Sequence, residues 1–161
     1  MDPELGGVKG ALQAEIRSPA FAAVLATVAA EYADHLELPA PDPDAVCLSE
    51  RAVLPQYPAV EIIGDASEPE GGDDGAQEAQ SYRHRIALVW TALADDETVV
   101  TAQVERSVLA LRRYLRGRVL DVAGAAPLVL GREDFSPVGR RGDTGPFLKS
   151  GILEVAVPTY M

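Results

Sequence analysis

Few residues in this chain have the types and spacing that chemistry requires. Two histidines, His35 and His84, and one cysteine, Cys47, are the only imidazoles and thiol. A general base needs an identifiable partner, and the two histidines lie too far apart in sequence to mark each other as a pair. His84 falls at an alternating strand position, where a structural role is the ordinary outcome. Zinc needs paired Cys or His ligands at short spacing, and no such pair exists. A single thiol can form no disulfide within the chain, which predicts a structural Cys47 in reducing surroundings. Oxygen ligands are plentiful between Glu68 and Glu78, but they lack the Asp-x-Asp-x-Asp-Gly order that wraps calcium. Gly71-Gly72 and the glycines from Gly139 to Gly145 lack the Gly-Lys-Ser/Thr ending or the Gly-x-Gly-x-x-Gly turn of a phosphate loop. Arg141-Gly142-Asp143 is a tripeptide short enough to recur by chance. The sequence thus predicts no catalytic residue, no metal site and no cofactor.

The elements that would carry any site are easier to read. Asp2-Pro3 offers a cap and a first-turn proline, and Leu5, Val8, Leu12 and Ile16 then recur at helical spacing. Gly6, Gly7 and Gly10 each cost such a helix up to about 1 kcal/mol, so it needs a packing partner. Ser18-Pro19 repeats the start signal, and Phe21, Leu25, Val28 and Tyr32 predict a helix over 19–34. Pro39, Pro41 and Pro43 make 38–44 an extended connector. Val60 to Ile63 predicts a strand over 58–64. The acids and glycines of 65–80 predict a solvated loop.

From Tyr82 the pattern alternates: Tyr82, His84, Ile86, Leu88 and Trp90 share one face of a strand over 82–91. Asp95, Asp96 and Glu97 then stand at the positive end of a helix whose negative end carries Arg112, Arg113 and Arg116, with Gly117 to stop it. Val100, Val104, Val108, Leu111 and Leu115 form its apolar stripe. Arg106 and Arg118 extend the basic series, which reads either as surface pairing or as a subunit contact. Strands are predicted at 127–132 and 148–157, with an exposed loop over 135–146 between them. The expectation is an α+β fold: a mostly antiparallel sheet of about four strands with helices packed on one face, two of them N-terminal, in a single domain over 1–161.

Composition bounds the function. The chain has 161 residues, 47% hydrophobic and 24% charged, which suits one ordinary globular core. No apolar run reaches the ~20 residues a membrane helix needs, and Asp2 and Glu4 stand where a signal peptide would be basic, so no membrane association is expected. Of the net charge of −11, residues 31–80 hold thirteen acids against one base, and residues 81–161 hold nine acids against eleven bases. An acidic middle argues against nucleic-acid recognition and permits charge-complementary contacts between copies.

Three stretches carry a family likeness: Leu54-Pro55-Gln56-Tyr57-Pro58-Ala59-Val60-Glu61-Ile62 after an N-terminal helical region, Tyr82-Arg83-His84-Arg85-Ile86-Ala87-Leu88-Val89-Trp90, and the closing Phe147 to Val157. With the helix from Asp95 between the last two, this layout resembles the tail terminator, or tail completion, proteins of long-tailed phages and gene transfer agents. The resemblance implies a non-enzymatic virion protein, made in the host bacterial cytoplasm. It further implies a homo-oligomeric ring, usually of six copies, that ends the tail tube and meets the head connector or stopper protein at the neck. Loops on a rigid sheet commonly carry binding, so the expected assembly contacts lie in 65–79 and 135–146, with Glu68, Glu70, Asp73, Asp74, Arg140, Arg141 and Phe147 as the candidate residues. A neck stopper and a small-ligand-binding α+β domain stay open as alternatives.

Overall fold

A computed structural model describes residues 5–70 and 81–160. Among these residues three α-helices and a mixed sheet of six strands make an α+β fold. Helix α1 spans Leu5–Ile16 and α2 spans Pro19–Ala30. Ser18 separates them, and its hydroxyl accepts from the Phe21 N–H, so α2 starts where the Ser-Pro signal places it. The helix stops at Ala30, short of the expected residue 34.

The strands are β1 (Val46–Cys47), β2 (Ala59–Glu70), β3 (Ser81–Ala94), β4 (Val129–Phe135), β5 (Gly139–Arg140) and β6 (Phe147–Tyr160), and α3 runs Glu97–Leu115 between β3 and β4. Their order is β1-β2-β3-β6-β4, with β5 also paired to β6. All pairs are antiparallel except β1 with β2. The sheet therefore differs from the expected four-stranded one. Two of its six strands, β1 and β5, are only two residues long, too short to carry a periodic signal. The larger difference lies in 65–70, expected as loop, where β2 continues to Glu70 opposite Ser81. Glu68 and Pro69 bury little, but backbone pairing to β3 needs no apolar side chain. Asp73 and Asp74 lie outside the described residues.

Side-chain parity divides the sheet into two faces. The inner set is Val60 and Ile62 of β2, His84, Ile86, Leu88 and Trp90 of β3, and Leu153, Val155 and Val157 of β6, all buried. Above it lies α3, whose Val100, Val104, Val108, Leu111 and Leu115 are each 0% exposed, as the stripe requires. Asp96 caps α3 by accepting from the Thr98 and Val99 N–H groups, and Gly117 leaves it at a φ of 70° that favours glycine. Helix α1 lies over β2, where the Leu5 side chain occupies the space a Cβ on Gly64 would need. Helix α2 packs on α3, and Phe21 meets the Trp90 ring edge-on at 6.1 Å. The buried apolar residues form one cluster on this side of the sheet.

Candidate assembly interface

The outer face has no helix on it among the described residues. Its middle is apolar and half-buried, with Ile63 (β2), Ala87 and Val89 (β3) and Ile152 and Ala156 (β6), next to exposed Val129 on β4. A hollow of about 470 Å³ lies toward the β2–β3 end, rimmed by Asp65, Arg85, Asp134 and Glu154. Glu68 reaches Arg85 at 3.3 Å, with both side chains half exposed, so this ion pair stabilises little.

Toward the other end, segment 51–57 and strand β5 rise on either side of the sheet and leave a trough of about 530 Å³. Glu61, Thr91 and Ser150 form its floor, and Arg51, Arg140 and Arg141 line its walls. Thr91 and Ser150 share a hydroxyl hydrogen bond of 2.9 Å across β3 and β6. Glu61 accepts from the Arg51 backbone N–H, which ties the 51–57 segment to β2. Arg140 lies over the Phe147 ring at 5.1 Å and Arg141 over Tyr57 at 6.0 Å, inside the range of cation–π attraction. Among the described residues none of Arg51, Arg140 and Arg141 has an ion-pair partner.

The structure brings the candidate contacts into two groups. Arg140 pairs with Phe147, and Phe147 pairs with Ala94 at one end of β3. Glu68 pairs with Arg83 and Glu70 with Ser81 at the other end. Arg83 and Ala94 are eleven residues apart on one strand, about 35 Å at 3.2–3.4 Å per residue. Arg51, Tyr57 and Glu61 complete the basic group and were not singled out from sequence. Arg51 is the only base in 31–80, the one sequence signal that sets it apart.

Several other titratable groups brace the packing. Arg106 pairs with Asp34 at 2.8 Å and lies over Tyr32, Arg113 pairs with Glu31, and Arg112 binds both Glu133 and the Gly131 carbonyl. Arg118 approaches Glu15 at 3.5 Å and covers the Tyr114 ring. The arginine series on α3 thus braces α3 to α2, β4 and α1. The bond from Arg113 holds the Glu31 carboxyl below its usual range, and the bond from Arg106 does the same for Asp34. Tyr114 donates to Glu15 and lies 2.9 Å from the Ser18 hydroxyl, joining α3 to the α1–α2 corner. Burial raises its phenol above the ordinary range.

His84 is buried on the inner face, 2.8 Å from the Ser67 hydroxyl through Nδ1 and 3.4 Å from Thr159 through Nε2, with Tyr82 stacked beside it. Burial lowers its pKa. A serine beside an imidazole makes two members of a nucleophile triad, but Thr159 stands where the third, an orienting carboxylate, would be needed. His35 is exposed in the turn after α2. Among the described residues no three His, Cys, Asp or Glu side chains converge on a metal position, and no helix is long and apolar enough to cross a membrane.

Comparison with known proteins gives a loose likeness. A chain of the solved virion of a native gene transfer agent (GTA) particle is 16% identical, over 92% of this chain and 96% of that one, with a TM-score of 0.45. The superposition is too loose to define a shared fold. No family model matches the chain, and no curated protein matches it.

Proposed function

We propose that this chain is a structural virion protein whose copies form a ring, most simply of six, that ends the tail tube and joins it to the head connector. The observation that carries this reading is the outer face of the sheet, which no helix covers among the described residues. β3 and β6 pair over fourteen residues each, yet among those residues only their inner side is packed by helices. The outer side presents an apolar middle between charged ends, a surface suited to another protein chain. Its mechanism is interface geometry: tube and connector proteins contact the ring, and no cofactor, membrane or nucleic-acid sequence takes part. The layout of strands and helices that resembles tail terminator proteins in the sequence supports the same role.

A small-ligand domain would hold its ligand between helix and sheet. The space there, beside Trp90, Gln103 and Ser107, is about 70 Å³, against the 300–1,000 Å³ of ligand pockets. A neck stopper shares the same surfaces and differs in how it assembles. Light scattering across a concentration series at low and moderate salt separates the roles. A closed oligomer near six copies, visible as rings by negative-stain microscopy and halting tube growth when added to polymerising tube protein, is the expected result. A monomer that assembles only on the connector would move the chain to the stopper role, and a monomer that assembles on neither would overturn the virion reading.

A further inference from the structure

We propose that the arginine-lined trough on the outer face binds an extended, acidic segment of another virion protein, whose carboxylates accept paired hydrogen bonds from its guanidinium groups. The inference rests on the virion reading, in which tube and connector proteins meet this chain, and it names the chemistry of the segment that one of them brings. In a chain with 25 acids against 14 bases, an arginine readily finds a carboxylate. Arg85, Arg106, Arg112, Arg113, Arg118 and Arg132 each do so. Arg51, Arg140 and Arg141 do not among the described residues, and all three line one trough.

The surroundings hold these cations in place. Arg140 lies over the Phe147 ring, and its Nε donates to the Gly145 carbonyl at 3.2 Å, so its terminal N–H groups are what it offers a ligand. Arg141 lies over Tyr57 of the facing wall. The backbone at Arg51 is anchored by its N–H to Glu61. A guanidinium whose position is set in advance loses little freedom on binding, and its planar fork matches a carboxylate. Glu61, the one carboxylate of the lining, lies on the floor and is engaged by that N–H. Glu50 and Asp143 adjoin the arginines in sequence but do not line the trough. Recognition therefore comes from direct contact and not from a long-range field.

The rest of the lining selects the kind of anion. Val53, 73% exposed, stands on one wall with Leu54, and Leu148 lies opposite Gly139 at the other. An extended polypeptide alternates its side chains, so it can give carboxylates to the arginines and aliphatic groups to these walls. Single-stranded nucleic acid is a poorer occupant. Tyr57 is the one aromatic ring of the lining among the described residues, and Arg141 already covers it, which leaves bases no stacking platform.

Fluorescence anisotropy with the full chain tests the site, using a short fluorescein-labelled peptide of alternating Glu and Val. Saturable binding is expected, at least tenfold tighter than that of the same peptide with Gln for Glu. R140Q/R141Q should weaken it at least tenfold, with circular dichroism and oligomeric mass as in wild type. R140K/R141K keeps the charge and loses the fork, and should weaken it several-fold. Should these double variants fail to fold, R51Q removes the cation of the opposite wall and should also weaken binding. Absence of saturable binding to the wild-type chain, or equal binding by the variants, would overturn the proposal. So would an oligothymidylate of the same charge that binds the trough more tightly than the peptide. Loss of oligomeric mass in R140Q/R141Q would make the trough a contact between copies and overturn it too. An oligomer that ignores the peptide removes the site and leaves the ring standing, whereas a monomer that binds the peptide removes the ring and leaves the site.

Discussion

Replacing Gly151 with alanine tests how α3 is seated on the sheet. Gly151 lies on the inner face of β6 opposite Trp90, and a Cβ there would stand 2.8 Å from a Val108 methyl, 2.9 Å from a Val104 methyl and 3.0 Å from the Phe135 ring. Valine in a helix is confined to essentially one χ1 rotamer, so neither methyl can swing away and the helix itself must rise. Overpacking of this kind costs about 1–3 kcal/mol. Removing a glycine from a strand interior returns about 0.5–1 kcal/mol of chain entropy. The net loss expected for G151A is about 1–2 kcal/mol, or a fall of roughly 0.5–1 M in the urea midpoint at a slope near 2 kcal/mol/M. V108A opens room for the new methyl, so G151A/V108A should be more stable than the sum of the two single losses predicts, by about 1 kcal/mol. Urea unfolding followed by tryptophan fluorescence reads all three variants through Trp90. A G151A protein as stable as wild type, or strict additivity in the double variant, would refute the argument that Gly151 is there to let α3 approach.

Three further outcomes are expected. D96A removes the side chain that caps the Thr98 and Val99 N–H groups and should cost about 1 kcal/mol in the same assay. Y114F deletes the hydroxyl shared by Glu15 and Ser18 and should cost about 1–2 kcal/mol, with little added loss when E15Q is already present. His84 has its folded-state pKa lowered from 6.5 by burial, so between that lowered value and 6.5 the unfolded chain binds the proton and the folded chain does not. Stability should be full above about 6.5 and fall as pH drops below it, and H84N should flatten that slope when midpoints are compared from pH 7 to 5. Glu31 and Asp34, whose pKa values are lowered by Arg113 and Arg106, lose their contribution only at more acid pH, below their ordinary 4.5 and 3.8.

Elements built on apolar repetition were readable before the fold was known. Ser18-Pro19 marks the start of α2, Asp96 and the valine stripe define α3, and the alternation from Tyr82 to Trp90 defines β3 and groups His84, Ile86, Leu88 and Trp90 on one face. The extension of β2 through Asp65–Glu70 was not readable, because it is held by backbone pairing with β3 and its side chains spell a loop. Long-range ion pairs such as Arg112 with Glu133 and Arg113 with Glu31 join residues with no local pattern. The same limit applied to the candidate contacts. Glu68 and Arg140 could be picked from sequence as exposed charges, but only the register of β3 and β6 places them at opposite ends of one sheet. Arg51 and Tyr57 enter the trough through the path of the 51–57 segment, which nothing in their types foretells.

The alternation on β3 also governs how the chain can evolve. His84, Ile86, Leu88 and Trp90 face the helices while Arg83, Arg85, Ala87 and Val89 face outward, so neighbouring codons lie under unrelated constraints. The bulge at Asp65 resets this parity in β2, which is why Ser67, not Ala66, pairs opposite His84. A one-residue insertion in either long strand would exchange the two sets and destroy both at once. Substitutions confined to the outward set leave the core untouched, so the chemistry of the outer face can change while the skeleton stays the same.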